Sequence, residues 1–103
     1  MTDIVLTERE TQEGLLVAVC DADVLGETFE NGDVSLTVEE AFYDGEGAET
    51  GVDEERVVES LAACTTANLV GTHTVELAIE HGFVEAENVL DFDGTRHAQL
   101  VWL

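Results

Sequence analysis

Near the end of the chain, Arg96-His97-Ala98-Gln99 puts an imidazole and a carboxamide two residues apart. In a strand, alternation sends His97, Gln99 and Val101 to one face and Ala98, Leu100 and Trp102 to the other. A His and a Gln projecting side by side can read a hydrogen-bonding ligand, with Arg96 beside them for a phosphate. The plain alternative is that they face solvent on an open sheet. A second constellation is Cys64, Asn68 and His73. A thiol nucleophile needs a nearby His to lower its pKa, and an Asn can orient that His. Cys64 and Asn68 share a face only if one helix runs through both. Cys64 also falls on an apolar helical stripe, where a small filler is its ordinary role.

Two weaker signals concern ions. Asn68-Leu69-Val70-Gly71 reads as a tight start to a helix, whose free N–H groups attract an anion, although many helices begin this way. Asp21-Ala22-Asp23 with Glu27 resembles the opening of a cation loop but lacks the central Gly and distal Glu of an EF-hand. The chain has no zinc-type Cys or His spacing, no P-loop, no dinucleotide fingerprint and no G-x-S-x-G. Neither a metal nor a cofactor is therefore expected.

The background to these groups is extreme. The chain has 103 residues, with 24 Asp plus Glu against 3 basic residues, all Arg, for a net charge of −21. Such charge alone suggests a disordered tail, but 45 % of the residues are hydrophobic, which demands a core. Molar salt reconciles the two, because the Debye length falls to about 3 Å and carboxylate repulsion is screened. The expectation is a salt-adapted cytoplasmic protein of an extreme halophile. One domain is expected over 1–103. The longest apolar run, Leu15 to Cys20, is too short to span a membrane. Met1-Thr2-Asp3 lacks the start of a signal peptide, so Cys20 and Cys64 are expected as reduced thiols.

The elements that must position these groups follow from patterning. Ile4–Thr7 and Gly14–Cys20 read as strands joined by a Glu8–Glu13 connection, the second apolar on both faces and so central. Val24-Leu25-Gly26 is a short turn and Asn31-Gly32 another. Val34–Val38 alternates strictly, which predicts one buried face; Glu39–Tyr43 reads as a helical turn and Asp44–Gly51 as a loose loop. Asp53 caps a helix with Val57, Leu61 and Cys64 on its buried stripe. Thr65–Asn68 reads as a polar break, and a second helix runs from about Gly71 or Thr72 to His81, closed by Gly82 with Phe83 behind it. His81 reads as a cation near that helix's C-terminus. Asn88–Phe92 and Thr95–Trp102 form a hairpin about Asp93-Gly94, with Leu100–Leu103 as a core strand. The predicted fold is α+β: a small mixed, largely antiparallel sheet of about five strands with two main helices on one face.

Several segments together resemble a small archaeal family known only as domain of unknown function 424. They are Val17-Ala18-Val19-Cys20-Asp21 with Leu25-Gly26, Phe42-Tyr43, Ala67-Asn68-Leu69-Val70-Gly71, Val75–Ile79, Glu87–Leu90 and His97-Ala98-Gln99. Two features depart from the family pattern. Many relatives carry Lys where this chain has Glu or Asp, and a Pro commonly stands where Arg96 stands here. The resemblance implies an archaeal cytosolic domain with no established activity that keeps company with translation genes. It also directs attention to Asn68, Gly71, His97 and Gln99, with Asp21 and Gly26 as a second cluster.

Two readings follow. The first is a non-enzymatic module that binds RNA or the ribosome and translation factors, through His97, Gln99, Arg96 and the Asn68–Gly71 helix start. It loses its best anchor if Arg9, Arg56 and Arg96 all lie remote from His97. The second is an enzyme or small-molecule binder using Cys64 or His97 in a pocket, which requires those groups on one face. A monomer and a homodimer paired through the C-terminal strand are both compatible with the pattern.

Overall fold

The computed structural model describes residues 3–45 and 47–102. In chain order the elements are β1 (Ile4–Thr11), β2 (Gly14–Asp21), a 3-10 turn (Ala22–Val24), β3 (Thr28–Asn31), β4 (Val34–Thr37), α1 (Glu40–Tyr43) and β5 (Glu49–Thr50). They continue with α2 (Glu54–Ala63), β6 (Thr66–Val70), α3 (Thr72–Glu80), a second 3-10 turn (Ala86–Asn88), β7 (Leu90–Phe92) and β8 (Thr95–Val101). Met1 and Thr2, read for an export signal, and Leu103, read as the end of a core strand, lie outside the described residues, as does Glu46 of the Asp44–Gly51 segment.

The main sheet has the order β5-β1-β2-β6-β8-β7. Only β2 and β6 pair in parallel; the other neighbours are antiparallel. The α+β reading holds, with six strands in the sheet and a separate two-stranded β3-β4 hairpin. The extra central strand is β6, which sequence patterning reads as a polar break. Its Ala67 and Leu69 fit the helix-side core and its Val70 fits the opposite one. Burial on both sides outweighs the polar look of Thr66 and Asn68. Cys64 therefore closes α2 as its C-cap, and Asn68 stands on a strand rather than on a continued helix.

Each face of the sheet carries its own core. On one side Val57, Leu61 and Cys64 of α2 and Val75, Leu77 and Ala78 of α3 pack on the strands. The α2 start is secured by Asp53, whose side chain accepts from the Arg56 N–H at 2.9 Å. The α3 end turns at Gly82 (φ 78°), and the Phe83 N–H donates back to the Ala78 carbonyl at 2.9 Å. On the other side Val24, Val38 and Tyr43 pack over Val5, Ala18, Cys20 and Val70. The hairpin and α1 thus form a second cover where only one helical layer was expected.

Several details differ from the sequence reading. Asn88 belongs to the second 3-10 turn, so the strand read over Asn88–Phe92 narrows to Leu90–Phe92. β1 pairs with β2 through Thr11, so the Glu8–Glu13 connection shrinks to Gln12-Glu13. Within Asp44–Gly51, Glu49–Thr50 pairs with β1 as an edge strand. In the alternating Val34–Val38 run only Val38 is buried, and Val34, beside the turn of the hairpin, is 59 % exposed. Leu100 is buried, but Val101 and Trp102 are 55 % and 49 % exposed, because β7 is too short to flank the end of β8.

Candidate functional site

The start of α3 is already occupied by a carboxylate from the chain itself. Asp21, at the end of β2, is buried. Its Oδ2 accepts the His73 N–H at 3.0 Å, while Oδ1 accepts the Thr74 N–H at 2.9 Å and the Thr74 hydroxyl at 2.7 Å. This is an N-cap supplied from a distant strand, satisfying donors a helix start leaves unpaired. Gly71 adopts φ 115°, and a Cβ there would overlap the Asp21 carboxylate carbon. Asp21 and Gly71 are thus one structural device, and two of the N–H groups of the helix start are already taken by a carboxylate. Among the described residues no group of acidic, His or Cys side chains is arranged to hold a metal ion, the Asp21-Ala22-Asp23 and Glu27 cluster included.

The catalytic constellation comes apart in the same way. Cys64 is buried in the helix-side core, where its Sγ donates to the Leu61 carbonyl at 3.2 Å. Burial raises its thiol pKa, the opposite of what a nucleophile needs. His73 is exposed at the start of α3, and His97 lies on the other side of the sheet. Cys20, under the second cover, is pushed up to about 12 by burial and then by the Asp21 charge. Arg96 alternates to the helix side, away from His97, and its Nε donates to Asp91 Oδ1 at 3.2 Å. Arg56 is also on the helix side, bound by Glu49, Glu8 and Glu59. His81 does not simply end its helix, since its Nε2 lies 2.7 Å from Glu54 Oε1 and ties α3 to the start of α2.

Asn68, His97 and Gln99 do come together. Asn68 stands directly across from Gln99, and Val70 across from His97, in the β6–β8 register. The Gln99 Nε2 donates to Asn68 Oδ1 at 2.8 Å, leaving the remaining amide donors and acceptors turned outward. His97 is half-buried, edge-on to Phe92 at 6.5 Å between centroids. Burial lowers its pKa, so near neutral pH the ring is uncharged and offers one donor and one acceptor. Asn68 and His97 floor a groove of about 340 Å³ walled by Leu36, Thr37, Glu39, Phe42 and Tyr43.

Arg9 and Phe42 complete this surface. The Thr7 hydroxyl donates to the Tyr43 carbonyl at 2.6 Å, and Arg9 Nη2 donates to the Ala41 carbonyl at 2.9 Å, so α1 is pinned to the sheet. The Arg9 guanidinium lies 5.0 Å over the Phe42 ring. Sequence reasoning placed Arg9 in a connection, and only the alternation Val5-Thr7-Arg9 could have shown that it shares a face with the site. The main-sheet strand positions that reach solvent on this side are Arg9, Thr11, Leu16, Thr50, Thr66, Asn68, Leu90, His97, Gln99 and Val101. None is acidic, whereas β1 sends Glu8 and Glu10 to the helix side. Glu39 is the one carboxylate that lines the groove.

The family model described as "Protein of unknown function (DUF424)" matches residues 8–103. A solved structure, an uncharacterized conserved protein from Methanopyrus kandleri, is similar over 98 % of this chain and 95 % of its own, with TM-score 0.73 and 20 % identity. That likeness supports the fold alone. No curated protein matches the chain.

Proposed function

This chain belongs to the DUF424 family of proteins of unknown function, and from that premise we propose that it is a non-enzymatic binding module of a salt-adapted archaeal cytoplasm. Its ligand is single-stranded RNA of the translation apparatus, held on the sheet face that carries Asn68, His97 and Gln99. The observation that carries this reading is that the exposed main-sheet strand positions of that face include no acid in a chain of net charge −21, Glu39 of the cover being the one carboxylate that lines its groove. Asn68 and Gln99 supply donors and acceptors to base edges, neutral His97 supplies one of each, and Phe42 offers a ring to a base. Arg9, not Arg96, is the cation within reach of the same face. The net charge opposes a phosphate backbone, but molar salt suppresses the phosphate-driven term for any protein and leaves hydrogen bonding and stacking to decide. The enzyme reading has less support, since Cys64 and His97 lie on opposite sides of the sheet.

Fluorescence anisotropy of a labelled single-stranded RNA in molar KCl tests the reading. We expect saturable binding that weakens about tenfold in the Asn68→Ala, Gln99→Ala double variant, the loss of roughly one buried hydrogen-bonding unit. No binding, or equal binding by the variant, overturns it. The salt-adapted part has its own test: helical circular dichroism should vanish on desalting, and an unchanged signal removes that part.

A further inference from the structure

The outer edge of β8 is left without a strand over its second half. β7 pairs with Thr95–His97 only, ending at the Leu90–His97 rung. Beyond it the chain turns away into the Ala86–Asn88 3-10 turn. The Trp102 N–H donates to the Thr65 carbonyl and the Arg96 carbonyl accepts from the Gly71 N–H, so even-numbered backbone groups point inward. Strand periodicity then turns the N–H and C=O groups of Gln99 and Val101 outward, where no strand pairs with them among the described residues. Alongside runs a groove of about 320 Å³ between Gln99-Leu100-Val101 and the segment Gly82–Glu85 with Asn88. Its wall on the β8 side presents the unpaired backbone groups of Gln99 and Val101.

We propose that this edge is a docking site for an extended, basic segment of a partner protein, added to the sheet as a strand antiparallel to β8. Strand addition draws its affinity from main-chain hydrogen bonds and its selectivity from alternate side chains. One set of the incoming side chains meets apolar Val101 and Leu90, both more than half exposed on the open side. Charge selects the occupant. Glu85 is the one charged residue that lines the groove, and the nearby Arg96 is already paired with Asp91. A Lys or Arg of an incoming strand can pair with Glu85 at contact distance, where molar salt screens least, whereas a second copy would bring its own Glu85 to the same edge. The site is separate from the RNA reading, because it uses backbone groups of β8 and not the amides of Asn68 and Gln99.

The test is amide hydrogen exchange, read by NMR, of the whole chain with a synthetic eight-residue peptide of alternating Val and Lys. Exchange at Gln99 and Val101 should slow at least about tenfold, with no comparable change at Arg9 or Asn68. A peptide N-methylated on alternate residues, which cannot complete the ladder, should give no protection and leaves the fold untouched. Val101→Pro, which removes an outward N–H at an edge, should abolish protection by the unmodified peptide. The proposal is overturned if the Val/Lys peptide gives no protection. It is equally overturned if a Val/Glu peptide protects as well, or if Gln99 and Val101 are already protected in a sample that sediments as a dimer.

Discussion

The two faces of the sheet divide the polar residues of this protein by purpose. On the helix side most polar groups singled out by their type prove to hold the fold together, the exposed His73 excepted. Asp21 caps α3, Gly71 makes room for it, Cys64 fills space and Arg56 gathers Glu8, Glu49 and Glu59. On the opposite side Asn68 and Gln99 bond only each other across two strands already paired through their backbones, His97 makes no side-chain hydrogen bond among the described residues, and Glu39 is the one carboxylate lining their groove. Two residues with the same chemistry in the sequence, such as Arg9 and Arg96, thus acquire different meanings from the parity of their strand positions. A polar residue is a candidate for function only once its structural duties have been counted.

The comparison can be broken by substitution. Leu69→Ala, on the helix-side face of β6, should cost about 3 kcal/mol in urea unfolding, since Leu69 is fully buried. Asp21→Ala should cost about 2 kcal/mol, through unpaired N–H groups at the start of α3. The neighbouring Asn68→Ala, on the open face of the same strand as Leu69, should cost no more than about 0.5 kcal/mol. A cost for Asn68→Ala matching that of Asp21→Ala would erase the distinction between the faces.

The thiols and the imidazole sharpen it. Cys20, pushed up to about 12, should resist iodoacetamide at pH 8 until urea unfolds the chain, and prompt labelling in the native state would contradict its burial. His97 has its pKa lowered from 6.5 by burial. As pH falls through 6.5 the unfolded chain takes up its proton first, so stability drops until the folded pKa is passed and then levels off. His97→Gln should remove this small step from the pH dependence of unfolding, and an unaltered step would place its origin elsewhere.

Much of the frame is legible in local sequence. The β1-β2 pairing, Asp53 before α2, Gly82 after α3 and Asp93-Gly94 between β7 and β8 each act within a few residues. β6 is not legible in this way, because Thr66 and Asn68 look like a break until Ala67, Leu69 and Val70 are seen packed on both sides. The cap on α3 is hidden too, since Asp21 lies 52 and 53 positions from its partners His73 and Thr74. Of the site, the His97–Gln99 face follows from alternation and its meeting with Asn68 from the register of β6 and β8. Arg9 and Phe42 join it only through tertiary docking of α1.

The most direct measurement is a two-dimensional NMR titration of the whole chain with single-stranded RNA in molar KCl. The account predicts shifts concentrated on Arg9, Phe42, Asn68, His97 and Gln99, with the start of α3 unmoved. Shifts centred on Thr72 and His73, or none on the open face at saturating RNA, would contradict it.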